Sequence, residues 1–372
     1  MRRVGYNAKS KLADVGAGRG WAALSDARRG GNREGAGTRM KIAILGAGGF
    51  IGSHLVEYLM GSEHRLVGVD ITDEKLAGIG GPQFQFVKSD VRQNRDLIDD
   101  VVRDTDVVVD LIAYANPSIY VETPLEVVDL NFFENHRIVE MCVRHQKRLI
   151  QYSTAEIYGH PSGEFYDEDT SDLQLGPIHK QRWIYSAAKQ LLERVVYAHG
   201  QAGDLDYTLV RPFNFIGPRF DYLVPSGSMG GPRVFAHFMS ALLSGGPMYL
   251  VDGGWRHRSF THIADANTAF EILMDHPGAR NEIFNIGNPT INVTVRQVAE
   301  LMCDLYEELT SQPAPCELVD VDGETFYGIG YEDVDRVPPS IDKLRALGWE
   351  PRHGLRDIFS DAMRAYLASP AA

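Results

Sequence analysis

A glycine-rich turn directly after a short apolar run is the feature that most constrains the fold of this 372-residue chain. The run KIAIL leads into GAGGFIG, in which Gly46, Gly49 and Gly52 recur every three residues and Phe50 and Ile51 open the next segment. Glycine permits a tight strand-to-helix turn, and the helix N-terminus offers N–H groups and a partial positive charge to a pyrophosphate. These five residues therefore predict a dinucleotide-binding site.

Two later strand ends extend this predicted site. The run HRLVGVD ends at Asp70, 24 residues after Gly46, where a carboxylate can accept hydrogen bonds from the adenosine ribose hydroxyls. Its charge would repel a phosphate on that ribose, so the predicted cofactor is NAD rather than NADP. We interpret Asp90 and Val91, which end the third run, as adenine contacts; Asp90 could equally be a solvated loop acid.

Short β-branched runs alternate with longer segments of helical periodicity from residue 40 onward. The runs are KIAILGA, HRLVGVD, FQFVKSD, DVVVDLIAYA, KRLIQYS and DYTLVRPFN. This alternation predicts an α/β fold, a Rossmann-type doubly wound parallel sheet, for residues 40–217. After residue 217 the chain turns rich in Gly and Pro, which predicts a smaller mixed C-terminal substrate lobe, residues 218–372, with segments interleaved with the first domain.

Charge and cysteine content exclude several classes of partner. A net charge of −13 argues against nucleic acid and anionic membranes, and no apolar run reaches the ~18 residues of a membrane span.

Residues 1–39 hold nine Lys or Arg against three Asp or Glu, which predicts a disordered basic extension. A transit peptide and an upstream start codon are the alternatives. Cys142, Cys303 and Cys316 lack metal-ligand and CxxC spacing, so we predict a cytoplasmic protein without a metal.

A tyrosine and a lysine four residues apart are the candidate catalytic pair. RWIYSAAKQLLERVV has the apolar periodicity of a helix, so Tyr185 and Lys189 project from the same side. An ammonium and an oxidised nicotinamide beside a phenol stabilise its phenolate and lower its pKa. Tyr185 could then accept a sugar hydroxyl proton as hydride leaves, and both residues would also contact the cofactor.

These motifs together resemble the extended short-chain dehydrogenase/reductase family, in its nucleotide-sugar epimerase/dehydratase/decarboxylase class, over roughly residues 40–366. The resemblance is carried by HKQRWIYSAAKQLLERV, RPFNFIGPR, DGGWRHRSFTHI and YGIGYEDV. These segments are most similar to UDP-glucuronate decarboxylases of the aminoarabinose lipid A pathway and to plant UDP-apiose/UDP-xylose synthases. The resemblance implies NAD kept bound through the cycle, a UDP-linked nucleotide-sugar substrate, and a homodimer formed through helices matching residues 125–146 and 185–199.

The stretch STAEIYG distinguishes the reactions of this class. The resemblance gives Thr154 the hydroxyl that hydrogen-bonds the sugar oxygen being oxidised. The 4,6-dehydratases typically have Asp and then Glu at the next two positions, the decarboxylases Ser and Glu, and the 4-epimerases often Ala at the first. Ala155 removes the acid needed for dehydration, whereas Glu156 is unusual for an epimerase. The alternative for Glu156 is a partly exposed acid that structures the strand end.

The sequence also departs from the decarboxylase pattern in the position of an arginine. In the decarboxylase pattern an Arg six residues after the Tyr of GYxDV protonates the carbon left by carbon dioxide. Counting from Tyr331 reaches Val337, one residue after Arg336, so a loop adjustment is needed for Arg336 to serve that role.

The resemblance also identifies substrate-binding residues. They are Tyr120 and Arg182 at the sugar, and Asn214, Arg233 and Arg258 at the diphosphate or uridine end. A guanidinium fork suits paired phosphate oxygens, and Arg182 could pair with a hexuronate carboxylate. Each of these residues also has a purely structural alternative. Arg233 and Arg258 could form surface ion pairs, and Asn214 could stabilise a turn. Tyr120 could be a packing residue, and Arg182 could be a charge that flanks the helix.

The function expected from the sequence is an NAD-dependent nucleotide-sugar 4-epimerase that oxidises carbon 4 of the sugar transiently. Its catalytic residues would be Tyr185, Lys189, Thr154, Glu156 and Arg336. The alternative is an oxidative decarboxylase of UDP-glucuronate that forms a UDP-4-keto-pentose, UDP-xylose or UDP-apiose. A non-catalytic NAD-sensing module is the alternative from another class, but such modules usually lack the Tyr and Lys pair.

Overall fold

The apolar runs of the sequence become the strands of one parallel sheet. The computed structural model describes residues 39–220, 222–223 and 233–368. The predicted basic extension therefore lies outside the described residues, apart from Arg39. All six runs that the sequence pattern assigned to strands are strands, and the doubly wound α/β prediction is confirmed.

The elements alternate along the chain as the pattern predicts. The strands are β1 Lys41–Leu45, β2 Arg65–Asp70, β3 Phe84–Lys88, β4 Val107–Asp110, β5 Arg148–Tyr152, β6 Tyr207–Pro212, β7 Phe215–Ile216, β8 Pro247–Val251, β9 His257–Arg258, β10 Thr261–His262, β11 Glu282–Ile286, β12 Val293–Thr294 and β13 Glu317–Val321. The α-helices are α1 Phe50–Leu59, α2 Arg95–Arg103, α3 Pro117–Glu122, α4 Pro124–Val128, α5 Asn135–His145, α6 Trp183–Ala202, α7 Val234–Ser244, α8 Ile263–Asp275, α9 Val295–Thr310, α10 Gly323–Tyr327, α11 Asp342–Ala346 and α12 Leu355–Leu367. A π-helical segment, Asp129–Glu134, joins α4 to α5.

The central sheet has seven parallel strands in the order β11-β6-β5-β4-β1-β2-β3. Strands β1 and β4 are fully buried except for Lys41, as expected for a sheet covered on both faces. Helices α2, α5 and α6 pack against one another, and α1 packs against α8. The direction of strand order reverses between β1 and β4, and this switch point is where doubly wound sheets bind ligands.

Residues after 217 contribute both to the central sheet and to smaller sheets. Strand β11 pairs with β6 at the edge of the central sheet. Strands β8 and β13 pair in parallel, β9 and β12 antiparallel, and helices α7, α9 and α12 pack near them. This mixture of local sheets and helices agrees with the expected composition of this half; the domain division at residue 217 stays a prediction. Among the helices of the described residues, none is long and apolar enough to cross a membrane.

Close packing at the glycine loop gives a first testable prediction. A Cβ at Gly52 would lie 2.1 Å from the Gly46 carbonyl oxygen and 2.8 Å from the Ala47 Cα, both main-chain atoms. We expect Gly52→Ala to lower the free energy of unfolding by about 1–3 kcal/mol and to weaken NAD binding. Urea unfolding and NAD titration measure the two effects. Gly80→Ala is the matched control, because its Cβ would meet no atom within 4 Å; equal stability of the two variants would contradict the prediction.

Candidate active site

The glycine loop is held against the end of β2 by its own main chain. Gly46 has φ of +88°, and its N–H donates to the Val69 carbonyl oxygen at 2.8 Å. Asp70 accepts from the Gly48 N–H at 2.9 Å and from the Thr72 N–H at 3.2 Å. No side-chain hydrogen bond caps α1 at Gly49, and pyrophosphate binding by its first N–H groups stays a prediction.

Gly48 is a loop residue that the three-residue glycine spacing did not single out. A Cβ there would lie 1.9 Å from the Thr72 carbonyl oxygen and 3.0 Å from the Asp70 carboxyl carbon. Burial raises the pKa of Asp70, while hydrogen bonds from main-chain N–H groups, those of Thr72 and Gly48 foremost, lower it. The loop therefore fixes the acid that is expected to take the ribose hydroxyls.

The acid at the end of the third strand is already engaged by a neighbour. Asp90 accepts from Arg92 Nε at 3.0 Å and from Nη2 at 2.8 Å, and this hydrogen bond to Arg92 lowers the pKa of Asp90. Val91 is buried beside it. The assignment of Asp90 and Val91 to adenine stays a prediction, with Arg92 as the partner that sequence reasoning missed.

One cavity of about 290 Å³ brings together most of the other predicted residues. Its walls include Phe50, Ile51, Tyr120, Thr154, Glu156, Arg182, Tyr185, Lys189, Asn214, Arg233, Arg258 and Arg336. The three spaced glycines, Asp70, Asp90 and Val91 are not among its lining residues. The cavity thus begins at the start of α1 and extends to the predicted sugar and diphosphate contacts.

Tyr185 is held by a hydroxyl and by a second ring. The Thr154 side chain hydrogen-bonds the phenol, and its oxygen also accepts from the Glu156 N–H at 3.1 Å. Tyr120 stacks on Tyr185 with ring centroids 4.7 Å apart and planes 6° apart. Burial raises the pKa of Tyr185 to about 12, partly offset by the Thr154 hydrogen bond. In the protein alone this shift is opposite to the one expected from the sequence, because burial outweighs the stabilisation of the phenolate.

Lys189 is 1% exposed and donates to the Tyr152 carbonyl oxygen at 3.2 Å. Burial lowers the pKa of the Lys189 ammonium, while the charges of Asp110 and Glu193 raise it. The hydrogen bond thus goes to the main chain of β5, and direct electrostatic support of Tyr185 by Lys189 stays a prediction.

A carboxylate held between two guanidinium groups forms another part of the cavity wall. Glu156 Oε2 lies 2.7 Å from Arg182 Nη2 and 2.7 Å from Arg336 Nη2. Burial favours the neutral acid, but Arg336 and Arg182 together lower the pKa of Glu156 to about 2. The guanidinium of Arg336 therefore reaches the cavity, although residue counting placed Val337 at the expected position. Arg336 Nη1 also donates to the Gly159 carbonyl oxygen at 2.6 Å.

Arg182 retains unused donors in a buried position. It is 5% exposed, and its Nε and Nη1 atoms make no hydrogen bond within the described part of the chain. The guanidinium carbon lies 4.7 Å from the Trp183 ring centroid and 5.8 Å from that of Tyr331. Because unpaired buried donors are costly, this geometry suits a ligand oxygen in the cavity.

The predicted diphosphate contacts line the far side of the cavity. Arg258 forms an ion pair with the buried Asp333 and donates to the Val334 carbonyl oxygen at 2.9 Å. Arg233 lies over the Phe220 ring, 3.9 Å from its centroid. Asn214, with φ of +35°, donates through Nδ2 to the Ser259 carbonyl oxygen at 2.8 Å. Arg258 is thus held by a buried acid rather than in the surface ion pair considered above.

Several cavity residues were missed by the sequence analysis. They include Ser153, Tyr166, Phe326, Tyr327 and Asp333. Asp333 lies inside the segment YGIGYEDV, one of the segments that carry the family resemblance. Its place in that segment is the feature of the sequence that could have identified it as a site residue. Across the described ranges, no group of three or more His, Cys, Asp or Glu side chains is arranged to hold a metal ion.

The glycine loop and the cavity with its buried Tyr, Thr and Lys side chains fit an enzyme that uses a nicotinamide cofactor. The family model for the NAD-dependent epimerase/dehydratase family matches residues 42–287. The chain belongs to this family, and its cofactor is NAD, as the acid at the end of β2 predicted.

Solved structures support the same assignment. The PbgP3 protein of Burkholderia pseudomallei is 34% identical, with 88% of this chain and 96% of that chain covered and a TM-score of 0.79. UDP-glucose 4-epimerase of Thermotoga maritima, solved with UDP-glucose, is 23% identical over 88% and 99%, with a TM-score of 0.74. MoeE5, solved with UDP-glucuronic acid and NAD, is 23% identical over 88% and 99%, with a TM-score of 0.70. The latter two similarities show the fold.

The Glu156 clamp gives a second prediction. Glu156→Gln removes the anion between Arg182 and Arg336, so we expect the free energy of unfolding at pH 7 to fall by about 1–3 kcal/mol. The pKa of Glu156 is lowered in the folded state, so its contribution is present above its ordinary pKa and is lost as pH falls toward about 2. The variant should therefore lose less stability than the wild type between pH 5 and pH 3, as urea unfolding would show.

The control for this prediction is Glu164→Gln, an exposed acid nearby in the chain. That variant should match the wild type at every pH. Equal losses for the two variants at pH 7 would show that the clamp does not stabilise the fold.

Proposed function

We propose that the protein acts on a UDP-linked nucleotide sugar, oxidises carbon 4 of the sugar transiently and returns the hydride to the opposite face, as a 4-epimerase. The observation that carries the proposal is the hydrogen-bonded pair of Tyr185 and Thr154 in the cavity wall, where Thr154 is followed by Ala155 rather than by an acid. Ala155 has no acidic group, and Arg182 and Arg336 hold Glu156 as an anion. Epimerisation needs a base, which Tyr185 would be, and a reversible hydride transfer, for which bound NAD would supply the acceptor.

The chain's own residues bind the cofactor and manage the proton. The glycine loop and α1 hold the pyrophosphate, and Asp70 takes the ribose hydroxyls. NAD, when bound, supplies the hydride acceptor and a positive charge near the phenol. Thr154 holds the sugar hydroxyl, and Tyr185 accepts its proton. Because burial raises the pKa of Tyr185 to about 12, positive charge beside the ring is needed for the phenol to act as base.

The cations of the cavity match an anionic substrate. Arg233 and Arg258 lie where the diphosphate would bind, and Asn214 lies beside them. Arg182 and Tyr120 lie at the sugar end, where the unused Arg182 donors can take a sugar oxygen or a hexuronate carboxylate. MoeE5, which binds UDP-glucuronic acid, supports testing a hexuronate as substrate as well as a hexose.

Oxidative decarboxylation of UDP-glucuronate is the second candidate, favoured by one observation. Arg336 reaches the cavity beside Glu156, so a guanidinium is present where the sequence count suggested a loss. A ketone at carbon 4 makes the carbon 5 carboxylate a β-keto acid, and a cation there can stabilise the enolate left by carbon dioxide. The products would be a UDP-4-keto-pentose, UDP-xylose or UDP-apiose, as for the decarboxylases and synthases that the sequence resembles.

A homodimer accompanies this proposal. The helical stretch from α4 to α5 and helix α6 match the helices expected to form it. Leu125, Phe133, Leu191 and Tyr197 on these helices are between 49% and 81% exposed, which provides apolar surface for a second copy. The free thiols of Cys142, Cys303 and Cys316 fit the cytoplasmic location that we propose.

The product of turnover tests the two candidates. We expect UDP-glucose or UDP-glucuronate incubated with the purified protein and NAD to yield the 4-epimer, identified by proton NMR of the sugar. Because epimerisation keeps every carbon, no carbon dioxide should be released. Release of one carbon dioxide for each UDP-glucuronate consumed would overturn epimerisation and support the decarboxylase.

The proposed base has its own test. Tyr185→Phe removes the group that accepts the proton, so we expect turnover to fall by about 100-fold or more while NAD binding is kept. Tyr197→Phe is the matched control, because Tyr197 lies on the same helix and is exposed. Unchanged turnover in Tyr185→Phe would exclude the phenol as base.

A further inference from the structure

A buried acid, Asp110, interacts electrostatically with Lys189 on helix α6. The sequence analysis gave this acid no role. Asp110 ends β4 and is 0% exposed. Its Oδ1 accepts from the Ile112 N–H at 3.0 Å, whereas its buried Oδ2 has no hydrogen-bond partner within the described ranges. A carboxylate in this position needs a positive charge to stay ionised.

The positive charge that acts on Asp110 is Lys189. Burial is the largest influence on both groups, raising the pKa of Asp110 and lowering the pKa of Lys189, and the charge of each group opposes that shift in the other. Lys189 lies on α6, and its hydrogen bond to Tyr152 on β5 directs the ammonium toward the sheet that carries Asp110.

The other acid near Lys189 is already neutralised. Glu193 lies one turn along α6, and Arg211 binds it through two hydrogen bonds, Nε to Oε1 at 3.2 Å and Nη2 to Oε2 at 2.7 Å. The Cys142 thiol, on α5, also interacts with Asp110, which together with burial raises the pKa of that thiol and keeps it neutral. Among the residues that the structure describes, Asp110 is therefore left as the buried acid that acts on the charge of Lys189 without an arginine of its own.

We propose that Asp110 is the counterion that keeps Lys189 protonated, and so acts as a positioning residue for the reaction. The inference deepens the proposed function and rests on it for the consequence in turnover. An ammonium that is 1% exposed would otherwise lose its proton more readily, and the positive charge of a bound oxidised nicotinamide would add to that tendency. With Asp110 ionised, Lys189 stays charged and can orient the cofactor and support the phenolate of Tyr185.

The sign of the effect follows from the charges. Removing the Asp110 charge lowers the pKa of Lys189, so the ammonium is lost at a lower pH. The kcat of Asp110→Asn should therefore fall on the alkaline side at a pH lower by about one unit or more than in the wild type. A lower kcat with an unmoved alkaline limb would mean a structural role only and would overturn the proposal.

A second measurement does not depend on turnover. In protein labelled with ¹³C at the lysine Cε, the Lys189 signal is assigned by its loss in Lys189→Met, and its shift reports the charge on Nζ. We expect the Asp110→Asn holoenzyme to lose the Lys189 proton at a lower pH than the wild type. Identical titrations would overturn the counterion role, whereas a failure to turn over nucleotide sugars would affect only the proposed function.

A third comparison applies if Asp110→Asn does not fold. The double variant Asp110→Asn with Lys189→Met carries neither buried charge. It should be more stable to urea than either single variant, because each single variant leaves one charge without its partner. Losses of stability in the two single variants that simply add in the double variant would show that the two groups are not coupled and would overturn the proposal.

Discussion

Parallel pairing of β1, β4 and β5 is the constraint on which the rest of the site depends. Because parallel strands end at the same edge of a sheet, the glycine loop after β1, Asp110 at the end of β4 and the Tyr152–Thr154 stretch at the end of β5 meet there. Helix α6 then places Tyr185 and Lys189 against that edge. The strand register, rather than any single contact, thus brings the cofactor loop, the base and its buried charges together.

Charge balance inside the cavity explains why Glu156, Arg258 and Tyr185 have surroundings that differ from those expected from the sequence. Glu156 is neutralised by Arg182 and Arg336, and Arg258 by Asp333. The acid that sequence reasoning counted as a catalytic helper is thus an anion that fixes two guanidinium groups. The phenol of Tyr185, by contrast, has burial as its largest influence, and burial raises its pKa.

Local patterns predicted much of this structure, and long-range contacts account for what they missed. Apolar periodicity and the glycine spacing predicted all six strand runs and α1, because those signals lie within a few residues of one another. Arg336 contacts Glu156, which lies 180 residues earlier in the chain. The sulfur of Cys303 lies 3.7 Å from that of Cys316, 13 residues later. Neither separation in sequence is one that indicates a contact. Asp110 was read only as part of a strand, because its partner Lys189 lies on another element.

Strand β11 has a consequence for how the chain is made. It completes the central sheet at the open edge of β6, yet residues 282–286 follow the whole of α7 and α8 in the chain. A nascent chain that has emerged only as far as β6 therefore presents an unpaired strand edge, the kind of surface that templates association with other chains. Synthesis must continue past this late strand before β6 gains its second hydrogen-bonded neighbour.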